Sequence, residues 1–138
     1  MAKLNITKGV VKSAMKVVIY GPEGIGKTTL ASRFPDPLFI DTEGSTKFMD
    51  VARTDRPLSW SQLLNQVSCV WEDPTLCRTL VIDTADWAER LCTEAFCASK
   101  KVSGIEEIGY GRGYVYIAED FGRLLNTLSE ITEKGVNV

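Results

Sequence analysis

Lys16-Val17-Val18-Ile19-Tyr20-Gly21-Pro22-Glu23-Gly24-Ile25-Gly26-Lys27-Thr28 is the stretch that decides the fold. The β-branched and aromatic run over residues 16–20 stops at Gly21-Pro22, which predicts a buried strand. Residues 21–28 then fit G-x-x-x-x-G-K-[ST] in full, and Thr28 to Phe34 reads as a short helix ended by Pro35 and Pro37. A strand before and a helix after are the context in which this pattern binds phosphate. Its glycines let the backbone curl so that successive N–H groups point into one concavity. The start of the helix adds partial positive charge. Lys27 has the reach for the β- and γ-phosphates of a nucleotide, and the Thr28 hydroxyl suits Mg²⁺. The candidate nucleotide-binding residues are therefore Gly21, Pro22, Glu23, Gly24, Ile25, Gly26, Lys27, Thr28 and Thr29.

Outward from this loop, strand-like and helix-like patterns alternate. Leu38-Phe39-Ile40-Asp41 and Thr79-Leu80-Val81-Ile82-Asp83 are unbroken apolar runs ending in a carboxylate, the pattern of strands covered on both faces of a parallel sheet. Residues 59–71 place Trp60, Leu63, Leu64, Val67, Val70 and Trp71 on one helical face, opened by a Ser59/Gln62 capping box. A helix over 85–98 carries Trp87, Leu91, Ala95 and Ala98 at helical spacing. After a Gly-rich break from Gly104 to Gly113, a last helix runs from about Ile117 to Glu133 with Phe121, Leu124, Leu125, Leu128 and Ile131 on its apolar face. Gly135 is a stop signal, and Val136-Asn137-Val138 opens another strand. The alternation predicts an α/β fold with a mostly parallel sheet.

Two further places carry chemistry. An apolar strand ending in Asp83 is the pattern that holds Mg²⁺ beside a phosphate loop. Asp41 and Glu43 leave the end of a strand expected in the same sheet, at its ligand crevice. A carboxylate there can orient and deprotonate a water, a role worth about 10²–10⁴ in rate. Helix capping and turn chemistry is the other use open to this pair.

Composition bounds the rest. The 138 residues suit one domain, and 44% hydrophobic with 25% charged residues is ordinary for a globular chain. No apolar run approaches the roughly 18 residues of a membrane span, and none forms a signal-peptide core, so a cytoplasmic protein with no membrane partner is expected. There is no His, which excludes Ser-His and Cys-His nucleophiles. Cys69, Cys77, Cys92 and Cys97 lack C-x2-C spacing and read as reduced structural thiols. Six bases and one acid give +5 over residues 1–33, and ten bases and seventeen acids give −7 over the remainder. Residues 1–15 form a basic N-terminal segment that either attracts phosphates or is simply solvated, and the nucleotide-binding domain is placed at 16–138.

Together these motifs resemble the RecA-like recombinase ATPases, over roughly residues 15–138. Residues 18–23 running into Gly26-Lys27-Thr28-Thr29-Leu30 look like their phosphate loop, and Phe39-Ile40-Asp41-Thr42-Glu43 looks like the strand ending in their catalytic glutamate. Gly44-Ser45, Asp83-Thr84-Ala85-Asp86-Trp87 and Tyr110-Gly111-Arg112-Gly113-Tyr114 are similar to segments of small phage-encoded members associated with single-strand annealing and recombination. The resemblance implies a three-layer P-loop NTPase fold and Mg²⁺-dependent ATP hydrolysis, with Glu43 activating water and Lys27 assisting at the phosphates. It implies Thr28 and Asp83 on the metal, homo-oligomers, and single-stranded DNA as a possible partner. The family continues past residue 133 into a further strand lying between the phosphate-loop strand and the Asp83 strand. Since this chain stops three residues into it, the domain is expected to be incomplete at its C-terminus.

Other functions fit parts of the pattern. Gly21, Gly24 and Gly26 also satisfy the glycine spacing of small-molecule kinases, although only Arg112 and Arg123 are available for a closing lid. A nucleotide-binding interaction module without catalysis is the third reading. No N/T-K-x-D guanine motif is present, which points to ATP. Tyr110, Arg112 and Tyr114 can stack bases and touch phosphate, or belong to an interhelical connector.

Overall fold

Leu38 to Ile40 and Leu80 to Ile82 pair with each other, as two apolar runs needing cover on both faces should. In the computed structural model, which describes every residue of the chain and Tyr110 by its backbone alone, they lie in strands β1 (Pro37–Asp41) and β3 (Thr79–Asp83). The two are parallel, with Leu38 opposite Leu80 and Asp41 opposite Asp83. The short β2 (Ala52–Arg53) pairs with β1 on its other side, also parallel, giving the order β2-β1-β3. In-register parallel pairing brings the carboxyl ends of β1 and β3 side by side. Residues 41–43 and 83–84 therefore leave the sheet together, and this places the site.

Three helices cover the sheet: α2 (Trp60–Glu72), α3 (Ala85–Lys100) and α4 (Arg112–Glu133). A fourth, α1 (Lys27–Ala31), follows the Gly-rich loop. Ser59 caps α2, its hydroxyl accepting from the Gln62 N–H at 3.2 Å. The Gln62 side chain in turn accepts from the Leu58 N–H at 2.8 Å, one residue earlier than a standard capping box reaches. Leu63, Val67 and Val70 of α2 pack with Leu124, Leu128 and Ile131 of α4 and with Ile40, Leu80 and Val136 in one core. Trp71 lies outside this core, and its indole N–H donates to Glu130 at 2.7 Å.

The buried stripe of α3 is Ala88, Cys92 and Phe96, with Cys97 beside it, one residue round from the expected Trp87, Leu91 and Ala95. Both stripes repeat every four residues, so spacing alone does not separate them. Packing does: small Ala88 meets the core, while Trp87 lies under the guanidinium groups of Arg90 and Arg56, 4.9 and 5.9 Å from its ring centre. The four cysteines are unpaired. Burial, with Asp120 and Glu89 adding to it, pushes the Cys92 thiol up to about 11, which leaves it unreactive.

The Gly104–Gly113 break contains two 3₁₀ turns, Ile105–Glu107 and Gly109–Gly111, and α4 already begins at Arg112. Gly113 sits in its first turn because a Cβ there would lie 2.6 Å from Ile105 Cγ1. Of the base-stacking candidates, Arg112 opens α4, Tyr114 is exposed on it, and the Tyr110 side chain lies outside the described residues.

The expected buried strand over residues 16–20 does not form. Asn137 lies beside β3, its carbonyl accepting from Leu80 N–H at 2.7 Å and its N–H reaching the Arg78 carbonyl at 2.9 Å. On the other side, Val17 N–H donates to the Val138 carbonyl at 2.7 Å and Val138 N–H to the Met15 carbonyl at 2.9 Å. Residues 136–138 thus run between β3 and the segment before the loop, the position the resemblance implies for that strand. This ladder reaches only Val17, and without a partner Val18 and Tyr20 remain 84% and 91% exposed. Among the described residues, no helix is long and apolar enough to cross a membrane.

Candidate functional site

Residues 21–26 form an exposed loop that turns on Gly24 (φ +77°) and Gly26 (φ +107°), left-handed positions that other residues adopt only with strain. Gly26 leads directly into α1. This helix is shorter than expected: it ends at Ala31, and the chain continues to Phe34 through the i→i−3 bonds Arg33 N–H to Leu30 and Phe34 N–H to Ala31. Five residues carry little macrodipole, so attraction for an anion rests chiefly on the loop amides and Lys27. The Lys27 ammonium is folded over its own loop and donates to the carbonyls of Gly21 at 2.7 Å and Pro22 at 3.0 Å. Thr29 is exposed on α1.

Within the first turn of the helix, the Thr28 hydroxyl donates to Asp83 Oδ2 at 2.6 Å. Fifty-five residues apart in sequence, the two meet because β3 ends beside the start of α1. A hydroxyl and a carboxylate in contact are hard oxygen donors of the kind Mg²⁺ takes while keeping most of its waters. The donor set fits that ion, and Thr28 and Asp83 are the residues that would hold it.

The paired carboxylates at the end of β1 separate into different roles. Asp41 is 2% exposed and closes a turn on itself. Its Oδ1 accepts from the N–H groups of Glu43, Gly44 and Ser45 at 3.1, 2.6 and 3.2 Å. Its Oδ2 accepts from the Thr46 N–H at 2.8 Å and the Thr46 hydroxyl at 2.6 Å. Burial alone would raise its pKa, but the donors from Thr46, Gly44 and Ser45 outweigh it and hold Asp41 below the ordinary carboxylate value. Arg53 fixes the far side of the turn, reaching the Thr46 hydroxyl at 3.0 Å and the Thr46 and Met49 carbonyls at 2.7 and 2.6 Å. Turn chemistry therefore accounts for Asp41. Glu43, by contrast, is exposed, and its carboxylate accepts from the Thr84 hydroxyl at 3.1 Å.

Replacing Asp41 by Asn is expected to destabilise the fold by about 2–3 kcal/mol, since buried donors lose a charged acceptor, as measured by urea unfolding. The sign with pH follows from the lowered pKa. Asp41 contributes stability above its ordinary value of 3.8, and loses it as pH falls through the lower folded value. The Asn variant lacks this part of the acid slope.

Several residues of the site carry no motif. Thr42, 2% exposed, ties the two strand ends together: its N–H donates to the Asp83 carbonyl at 2.8 Å, and its hydroxyl accepts from Thr84 N–H at 2.8 Å. Arg56 Nε donates to the Thr42 carbonyl at 3.0 Å. These contacts join segments more than ten residues apart, and only a polar residue at each strand exit hinted at them.

The site thus sets a Gly-rich loop with a lysine, a hydroxyl–carboxylate pair and an exposed glutamate at the carboxyl end of a parallel sheet. No curated protein and no solved structure matches the chain. Its sequence matches a protein-family model described as an AAA domain across residues 13–138. With nearly its whole length so matched, the chain belongs to this AAA-domain family of ATPase-like, nucleotide-binding P-loop proteins.

Proposed function

We propose that this chain is a Mg²⁺-dependent ATP-binding protein that hydrolyses ATP, of the RecA-like kind associated with phage recombination and DNA annealing. The observation that carries the reading is the 2.6 Å contact between Thr28 and Asp83. It joins the end of the phosphate-loop motif to the acidic strand end, as a shared metal requires. Mg²⁺, when bound, neutralises charge on the phosphate oxygens. The protein's own residues do the remainder. Loop amides receive the phosphates, and Lys27 exchanges the carbonyls of Gly21 and Pro22 for phosphate oxygens. Glu43 accepts a proton from the attacking water. Homo-oligomers and single-stranded DNA belong to the same proposal and rest on the family resemblance.

Calorimetry with Mg-ATP tests the reading, followed by phosphate release with and without single-stranded DNA. Heat of binding that requires Mg²⁺ in the wild type and loses much of that requirement in Asp83→Asn is the expected result. A well-folded sample that gives no heat with any common triphosphate overturns it. Binding without phosphate release under either condition would leave an interaction module instead.

A further inference from the structure

We propose that Thr84 is the positioning residue of the hydrolytic site, holding the Glu43 carboxylate toward the attacking water. The proposal rests on the reading of Glu43 as the base. Glu43 is an exposed side chain with three rotatable bonds, and a general base needs a fixed direction. Its backbone is already fixed by the Asp41 turn, into which its N–H is tied at 3.1 Å. Its carboxylate is fixed by Thr84, whose hydroxyl has a single proton. That proton goes to Glu43 Oε1 at 3.1 Å, and a lone pair of the same oxygen accepts the Trp87 N–H at 3.4 Å as the cap of α3. The helix cap thus orients the hydroxyl, and the hydroxyl orients the carboxylate, leaving Oε2 for water. A base aligned by a third group is the general arrangement of hydrolytic sites.

The anchor of Thr84 is equally specific. Its N–H donates to the buried Thr42 hydroxyl at 2.8 Å, and Thr42 is the residue immediately before Glu43. Two adjacent pairs, Thr42–Glu43 and Asp83–Thr84, are therefore cross-linked by at least three hydrogen bonds, the one from Thr42 N–H to the Asp83 carbonyl included. The metal-side carboxylate and the water-side carboxylate are held in one frame.

The test is steady-state hydrolysis by the full chain carrying Thr84→Val, Thr84→Ser and Glu43→Gln, and by the Glu43→Gln/Thr84→Val double variant. Thr84→Val is expected to lower kcat roughly 10–100-fold with KM for Mg-ATP little changed, and Thr84→Ser to restore it. In the Glu43→Gln background, Thr84→Val should cost nothing further, because the two residues act as one unit. Wild-type turnover in Thr84→Val, no restoration by Ser, or the same loss in the Gln background would overturn the proposal. Removing the cap also weakens the start of α3. Should Thr84→Val fail to fold, Thr84→Gly replaces it: glycine serves at an N-cap nearly as well as threonine but has no hydroxyl to donate. Its kcat at saturating Mg-ATP should fall similarly, and retained turnover counts against the tether. The two readings fail differently. Hydrolysis undiminished in Glu43→Gln removes the base itself, whereas a slow Glu43→Gln beside a fast Thr84→Val removes only the tether.

Discussion

Glu43→Gln is expected to bind Mg-ATP like the wild type and to hydrolyse it about 10²–10⁴-fold more slowly, the usual worth of a positioned general base. The substitution keeps the shape of the side chain and an oxygen able to accept from Thr84, so it removes basicity and little else. Glu43 is exposed, and its backbone N–H bond to Asp41 survives the change, so the thermal unfolding temperature should hold. Binding is read by calorimetry and turnover by phosphate release. Undiminished turnover would discard the assignment of Glu43 as base.

Lys27→Ala is expected to raise the Kd for Mg-ATP by about 100-fold or more, near 3 kcal/mol, as loss of a charged partner at a phosphate commonly does. The fold should be untouched, to within about 0.5 kcal/mol. The bonds lost, to the carbonyls of Gly21 and Pro22, lie in an exposed loop that water can satisfy. Lys27→Arg should not restore affinity, because a planar fork does not replace a compact ammonium in a cradle formed by backbone. Affinity preserved in Lys27→Ala would mean that the loop is not a phosphate cradle.

What the sequence disclosed was whatever depends on local pattern. The parallel pairing of β1 with β3 follows from two apolar runs each ending in a carboxylate, and the meeting of Thr28 with Asp83 follows from that pairing. What it concealed depends on tertiary partners. The face of α3 was ambiguous because stripes at 87/91/95 and 88/92/96 have the same period. Residues 16–20 have strand composition, yet a strand needs a ladder, and residues 136–138 supply one only as far as Val17. By residue pattern alone Asp41 and Glu43 were equivalent carboxylates, and only the family resemblance singled out Glu43. They diverge because Thr46 and three backbone N–H groups converge on one and a single hydroxyl meets the other.

The turn gathered by Asp41 also bears on how mutational surveys of this chain should be interpreted. A screen that scores ATP consumption alone would rank Asp41 beside Glu43, since a loosened turn misaims the neighbouring side chain. An excluded osmolyte such as trimethylamine oxide tells the two lesions apart. It favours the compact state and should recover output from an Asp41 variant, while leaving a Glu43 variant as slow as before.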